Sequence, residues 1–364
     1  MLKKISNLEG LSVKHKIAVI GFGGMGNWHV RRLQEHQSDL FEIAGIWDIQ
    51  ETRRQAAAEQ GLHVYESLEA VLADPAVEII TIATPNNFHK PIAIAAMRAG
   101  KNVISEKPVM MNTQELEECI AVSNETGKLF TVHQNRRWDR DFLMVKKALQ
   151  DKTLGEAFCI ESRVLGGRRV LHDWRGYQEN GGGMVLDWGV HLIDQALQLT
   201  DAKVVSINAV GQNLYTKAVD DNFSLRLCFD NGLTTILEVM TCCFIPMPRW
   251  QVYGDLGTMC IKGWSCEGGI KQVRDDAEIE WSDSIVYTEG GPTRTMAPLP
   301  NDATRDLPLP DIQGDVNDYY RNIAACLDGT AEQIVRHDEM LRVMKLVDLA
   351  FESMATRQSV ACNI

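Results

Sequence analysis

IAVIGFGGMGNWH, residues 17 to 29, places Gly21, Gly23 and Gly26 as G-x-G-x-x-G straight after an apolar strand pattern and at the opening of a helical one. In that context each glycine has a physical task. Gly21 permits a tight turn, Gly23 lets backbone approach a pyrophosphate, and Gly26 lets the helix pack closely on the strand. The helix N-terminus then faces the phosphates. Alone, the motif equally describes a plain glycine turn, so the next strand matters. FEIAGIW ends in Asp48, 22 positions beyond Gly26, the spacing of a carboxylate that bonds adenosine ribose hydroxyls. An anion there repels a 2′-phosphate and favours NAD over NADP. Two alternatives stand beside this reading. Asp48 also suits the cap of the helix in IQETRRQAAAEQ, and Arg53 or Arg54 offers a 2′-phosphate a partner.

Outward from the turn, residues 16 to about 135 alternate short apolar runs (KIAVIG, EIITIAT, NVIS, LFTV) with helical stretches such as HKPIAIAAMRAG. That alternation predicts a doubly wound parallel α/β sheet covered by helices. Beyond about 150 the runs lengthen and alternate, as in FSLRLCFDNGLTTILEVM with its DNG turn, which predicts a second α/β domain on an open, mostly antiparallel sheet. Residues 292–311, rich in Pro and polar side chains, read as loop or linker, and two helical segments follow. The boundaries expected are 1–135 for the Rossmann domain, 136–310 for a substrate and oligomerisation domain, and 311–364 for C-terminal helices packing back on the domains.

The length of 364 residues agrees with two domains. A net charge of −12 opposes binding to a phosphate backbone or an anionic membrane, and no run of apolar residues approaches a bilayer span. Neither nucleic acid nor membrane is expected as a partner. The nine cysteines are odd in number and lack C-x-x-C spacing, which suits free thiols in a reducing cytoplasm. The N-terminus has lysines but no apolar stretch like that of a signal peptide. Neither Cys242–Cys243 nor Cys260 with Cys266 has zinc spacing, and H-E-x-x-H is absent, so no metal is expected.

In a doubly wound sheet ligands bind beyond the carboxyl ends of the strands. TPNNFH (84–89) and EKP (106–108) occupy such ends, which puts Lys107 beside the expected nicotinamide. Together with GFGGMG, QNRRWDRDF and GGGMVLDWGVHLID, these segments resemble the Gfo/Idh/MocA family of NAD(P)-dependent oxidoreductases over nearly the whole chain. The resemblance implies a catalytic trio of Lys107, Asp187 and His191. It implies cofactor contacts from Gly21, Phe22, Gly23, Gly24, Met25, Gly26, Asp48 and Arg53. Further contacts come from Thr84, Pro85, Asn86, His89, Glu106, Lys107 and Asn135. Substrate contacts fall to Lys107, Arg136, Arg163, His172, Trp174, Asp187 and His191. It also implies a homo-oligomer formed through the C-terminal sheet.

The residues agree with these roles. Asp187 and His191, four apart in an expected helix, share a face, and the glycines at 181–183 leave its entrance open. A carboxylate there orients an imidazole as base, with Lys107 stabilising alkoxide character, or the two roles are exchanged. GGRRVLHDWRGYQENGGGM mixes charge, amide and indole as a polyhydroxylated ligand requires. The reading is NAD-dependent oxidation of a secondary hydroxyl on a sugar, a glycoside (at glucoside C3) or a cyclic polyol. An inositol-type dehydrogenase, an enzyme using tightly held NAD twice per turnover, and a non-catalytic NAD sensor are the alternatives.

Overall fold

The computed structural model describes residues 14–277, 284–295 and 301–364. The chain divides into two compact units, each discontinuous in sequence. The first takes residues up to Asn135, His172–Val190 and Asp315–Asp348; the second takes Arg136–Leu171, His191–Gly314 and Leu349–Ile364.

The first unit is built on five parallel strands, β1 (His15–Ile20), β2 (Phe41–Trp47), β3 (Ile79–Ile82), β4 (Asn102–Ser105) and β5 (Phe130–Val132), in the order β2-β1-β3-β4-β5. Every residue of β3 is buried, as expected of a parallel sheet covered on both faces. The intervening helices are α1 (Gly24–His36), α2 (Glu51–Glu59), α3 (Leu68–Ala73), α4 (His89–Arg98) and α5 (Thr113–Thr126). Local chemistry sets the ends of α5. The Asn112 side chain accepts from the Glu115 amide at 2.9 Å, and Gly127 stops the helix in the left-handed region at φ 64°. Two late helices, α8 (Asn317–Leu327) and the first part of α9 (His337–Thr356), also belong to this unit. His337 reaches the Phe130 carbonyl at 2.8 Å and Asp348 accepts from the Thr113 amide at 3.0 Å, so the returning segment is tied to β5 and to the start of α5.

The second unit carries a nine-stranded sheet. Its strands are β6 (Ala157–Leu165), β7 (Val204–Gln212), β8 (Asn222–Phe229), β9 (Thr234–Met240), β10 (Trp250–Gly254), β11 (Gly257–Ile261), β12 (Gly268–Val273), β15 (Thr304–Leu307) and β16 (Val360–Ala361). The order is β15-β12-β11-β10-β6-β9-β8-β7-β16, with β6 and β9 parallel and the remaining pairs antiparallel. β13 (Ser284–Thr288) and β14 (Gly291–Thr295) form a separate hairpin. Alternating burial along β9 shows one face turned to the core. That face receives α6 (Arg140–Gln150): the buried Asp141 carboxylate accepts from the Trp250 indole at 2.9 Å and pairs with Arg249 at 3.2 Å. The other helix here is α7 (Val190–Leu197).

The sequence predicts loop over 292–311, yet β14 and the edge strand β15 lie there; residues 296–300 fall outside the described ones. A four-residue edge strand beside prolines is too short to show period-two alternation. All nine cysteines are free thiols, and among the described residues no helix is long and apolar enough to cross a membrane.

A Cβ on Gly26 would lie 1.9 Å from the Gly21 carbonyl oxygen, whereas one on Gly24 would meet nothing within 4 Å. Gly26→Ala should therefore lower the free energy of urea unfolding by about 2–3 kcal/mol. Gly24→Ala, measured alongside it, should change it by less than about 0.5 kcal/mol.

Candidate active site

The glycine turn is held by close backbone packing. Gly21 sits at φ +89°, and a Cβ there would come within 2.6 Å of the Ala83 carbonyl oxygen, so only glycine fits. Asp48, buried at the end of β2, accepts from the Phe22 amide at 2.7 Å and the Gln50 amide at 2.8 Å. Its carboxylate thus straps the turn to the neighbouring strand, and α2 begins only at Glu51. Beside it lies a cavity of about 710 Å³ lined by residues including Phe22, Gly23, Gly24, Arg31, Gln50 and Arg53. Arg53 donates to the Phe22 carbonyl at 3.3 Å on the cavity wall; Arg54 is spent on the carbonyls of Asp48 and Ile49.

The residues fit a dinucleotide. Gly24 has no atom within 4 Å of where a Cβ would stand, and Gly23 meets only the Arg53 side chain, at 3.6 Å, which leaves bare backbone facing open space. Buried oxygens of Thr84, Asn87 and Gln134 have no hydrogen-bond partner among the described residues. Pro85 leads into the 3₁₀ turn Asn86–Phe88, and Met25 lies in the first turn of α1. Asn86 and His89 serve as internal straps. Asn86 donates to the Gly181 carbonyl at 2.7 Å, and the His89 ring nitrogens lie 2.9 and 3.0 Å from the carbonyls of Pro108 and Thr84. Burial pushes the His89 imidazole below its ordinary pKa, favouring the neutral ring.

Lys107 follows β4 at a cis Lys107–Pro108 bond. Its ammonium donates to Asp187 Oδ1 at 2.8 Å and to the Asp187 carbonyl at 2.9 Å. Arg175 Nε donates to the other carboxylate oxygen, Oδ2, at 3.1 Å. Burial alone pushes the Asp187 carboxyl up, but the Lys107 ammonium and then the Arg175 guanidinium outweigh it and bring the pKa down to about 2. The result is an ionised carboxylate between two cations.

Glu106, one residue earlier, is anchored differently. His29 Nε2 and His133 Nδ1 lie 2.8 and 2.9 Å from its Oε1, the Tyr320 hydroxyl lies 2.7 Å from His29 Nδ1, and the Lys107 amide donates to Oε2 at 3.2 Å. Burial raises the Glu106 pKa, and the His133 and His29 hydrogen bonds more than reverse that, holding it well below the carboxylate range. His29, Glu106 and His133 offer ligand-type atoms all within 4.8 Å of one another. Two nitrogens at hydrogen-bonding distance from one oxygen identify the group as a proton-sharing strap.

Other expected site residues are placed as follows. Val185–Gly189 forms a π turn, not the expected α-helix, before α7 begins at Val190. Asp187 therefore sits in a widened turn, and His191 follows in the second unit. Gly181 and Gly182 do not open this entrance. A Cβ on Gly181 would lie 2.3 Å from Met111 Sδ and one on Gly182 2.2 Å from the Arg175 carbonyl oxygen, so they permit close packing. Arg136 pairs with Asp139 at 3.1 Å and lies over Trp264. Arg163 is engaged by Glu161 at 2.5 Å and Glu238 at 2.8 Å on the sheet. His172 is exposed, Trp174 is covered on one side by the Arg175 guanidinium at 4.5 Å, and Asn135 closes the first unit's opening segment. Sequence reasoning passed over Arg175 and the Glu106 partners, whose spacing carries no motif.

Residues 15–134 match the NAD-binding Rossmann-fold domain of the GFO/IDH/MocA oxidoreductase family, and residues 142–260 match its C-terminal domain. The chain is 27% identical over 352 residues to scyllo-inositol 2-dehydrogenase (NADP(+)) IolW of Bacillus subtilis, covering 95% of each protein. It is 26% identical over 230 residues to myo-inositol 2-dehydrogenase of Thermotoga maritima, covering 61% of this chain and 67% of that protein. A solved structure described as an NAD-binding protein from Listeria innocua is 42% identical, with a TM-score of 0.91 and coverage of 96% of this chain and 99% of that one.

The depressed Asp187 pKa has a consequence for acid stability. Its contribution is fully present above the unfolded value of about 4 and is lost as pH falls through about 2; it amounts to about 2 kcal/mol. In urea titrations, the stability gap between wild type and Asp187→Asn should narrow by about that much between about pH 6 and about pH 2. A gap that stays constant contradicts the ionised pair.

Proposed function

The chain belongs to the GFO/IDH/MocA family of NAD-binding oxidoreductases and is a dehydrogenase, and from that premise we propose that it oxidises a secondary hydroxyl of a sugar, glycoside or cyclic polyol. The observation that carries the proposal is the partly buried Lys107 ammonium fixed on an ionised Asp187 at the carboxyl end of β4. Such a pair offers a fixed positive donor to a carbinol oxygen as it gains alkoxide character. Two relatives named as inositol dehydrogenases support a polyol. The C3 hydroxyl of a glucoside is the finer assignment, with inositols as the second.

In this mechanism Lys107 binds the carbinol oxygen, and Asp187, assigned from the sequence to orient the His191 imidazole, aims the lysine through its Oδ1. His191 takes the hydroxyl proton as general base. Bound NAD supplies the acceptor for the hydride leaving the carbinol carbon. Asp48 excludes a 2′-phosphate by charge, which favours NAD. We assign the protein to the cytoplasm and its C-terminal sheet to a homo-oligomeric interface.

Mixing purified protein with NAD and a panel of methyl glucosides and inositols, and following nicotinamide absorbance, tests the reading; silence across the panel contradicts it. Lys107→Ala and His191→Ala should each lower turnover by about 10²–10⁴-fold while the NAD dissociation constant stays within about threefold. Near wild-type turnover in both removes the assignment. Asp48→Ser should raise kcat/KM with NADP by at least about tenfold relative to NAD, read in parallel assays with the two cofactors.

A further inference from the structure

We propose that Arg175 is a specificity-determining residue whose terminal guanidinium nitrogens bind the hydroxyl next to the carbinol being oxidised. The proposal rests on the polyol reading above and adds which part of the substrate is recognised, and by what.

The Arg175 side chain is held from two directions. Its Nε donates to Asp187 Oδ2 at 3.1 Å, and its guanidinium carbon lies 4.5 Å from the centre of the Trp174 ring. The backbone is fixed as well. The Arg175 carbonyl accepts from the Gly183 amide at 3.0 Å, and the Gly182 α-carbon packs so near that carbonyl that a methyl group there would lie 2.2 Å from its oxygen. Nε, the inner nitrogen, is the one spent on Asp187. Among the described residues, neither Nη1 nor Nη2 has a hydrogen-bond acceptor. The side chain is also the most open of the trio, at 36% exposed against 15% for Lys107 and 12% for Asp187.

A planar, permanently charged group with its inner edge anchored and one face stacked has already lost most of its rotamer freedom, so little is left to lose on binding a ligand. Asp187 therefore presents two donors through its two oxygens: the Lys107 ammonium through Oδ1 and the Arg175 fork through Oδ2. Adjacent hydroxyls of a polyol match that pair. Lys107 takes the reacting oxygen and Arg175 its neighbour. With two cations and one carboxylate the trio keeps one net positive charge, which strengthens bonds to hydroxyl oxygens.

The test is binding to NAD-saturated protein by calorimetry, using methyl glucoside, its 2-deoxy and 4-deoxy analogues, and myo-inositol. In the wild type, one deoxy analogue should bind about tenfold to a hundredfold more weakly than the parent glucoside. Arg175→Gln should weaken the parent by a similar factor and leave that analogue unchanged, with the NAD dissociation constant preserved. Arg175→Lys keeps the charge but lacks the fork, and should restore less than half of the lost affinity in logarithmic terms. If Arg175→Gln weakens the parent and both analogues equally, or weakens none of them, Arg175 acts only through Asp187 and this assignment is overturned alone. If the wild type binds no polyhydroxylated ligand, the polyol reading falls and takes this one with it.

Discussion

One carboxylate organises the candidate site of this protein. Asp187 is buried, and in isolation burial would drive it to take up a proton; two cations, contributed from positions 107 and 175, keep it ionised. Removing both partners would leave an uncompensated buried carboxylate. The polypeptide therefore has a strong energetic reason to bring the end of β4, the segment around residue 175 and the π turn to one place. Glycines at 181 and 182 make the approach possible, since any side chain there would collide with Met111 or with the Arg175 carbonyl.

The residue before the lysine has a different employment. Glu106 is buried; it joins α1 through His29, the end of β5 through His133 and, through the His29 ring, α8 at Tyr320. Burial holds the Tyr320 phenol well above its ordinary pKa, so it stays protonated 2.7 Å from His29 Nδ1. Burial also pushes the His133 imidazole below its usual value, which favours a neutral donor. The strand end that carries Lys107 is thus fixed from inside by a buried hydrogen-bonded network. Two adjacent charged residues divide the labour, Glu106 securing the frame and Lys107 pairing with Asp187.

The sequence disclosed the elements whose rules are local. The glycine turn and the parallel alternation follow from backbone sterics and hydrogen bonding within a few residues. The juxtaposition of Lys107 with Asp187 across 80 positions became legible only through family resemblance, because no periodicity links them. Arg175 escaped because its contact with Asp187 spans an irregular segment where neither helical nor strand spacing applies. The π turn was invisible for a related reason: GGGMVLDWGVH has the composition of an ordinary helix start, and the extra residue per turn is selected by tertiary packing. Proline density around β15 suggested a linker, although an edge strand tolerates such neighbours.

A crystal structure of the protein with NAD and a slowly turned-over polyol would test the central claim most directly. The account predicts a substrate hydroxyl oxygen within about 3 Å of Lys107 Nζ, with Asp187 still bridging the lysine and Arg175. Electron density placing the sugar against another surface, with the Lys107 ammonium bonded only to Asp187, would contradict it.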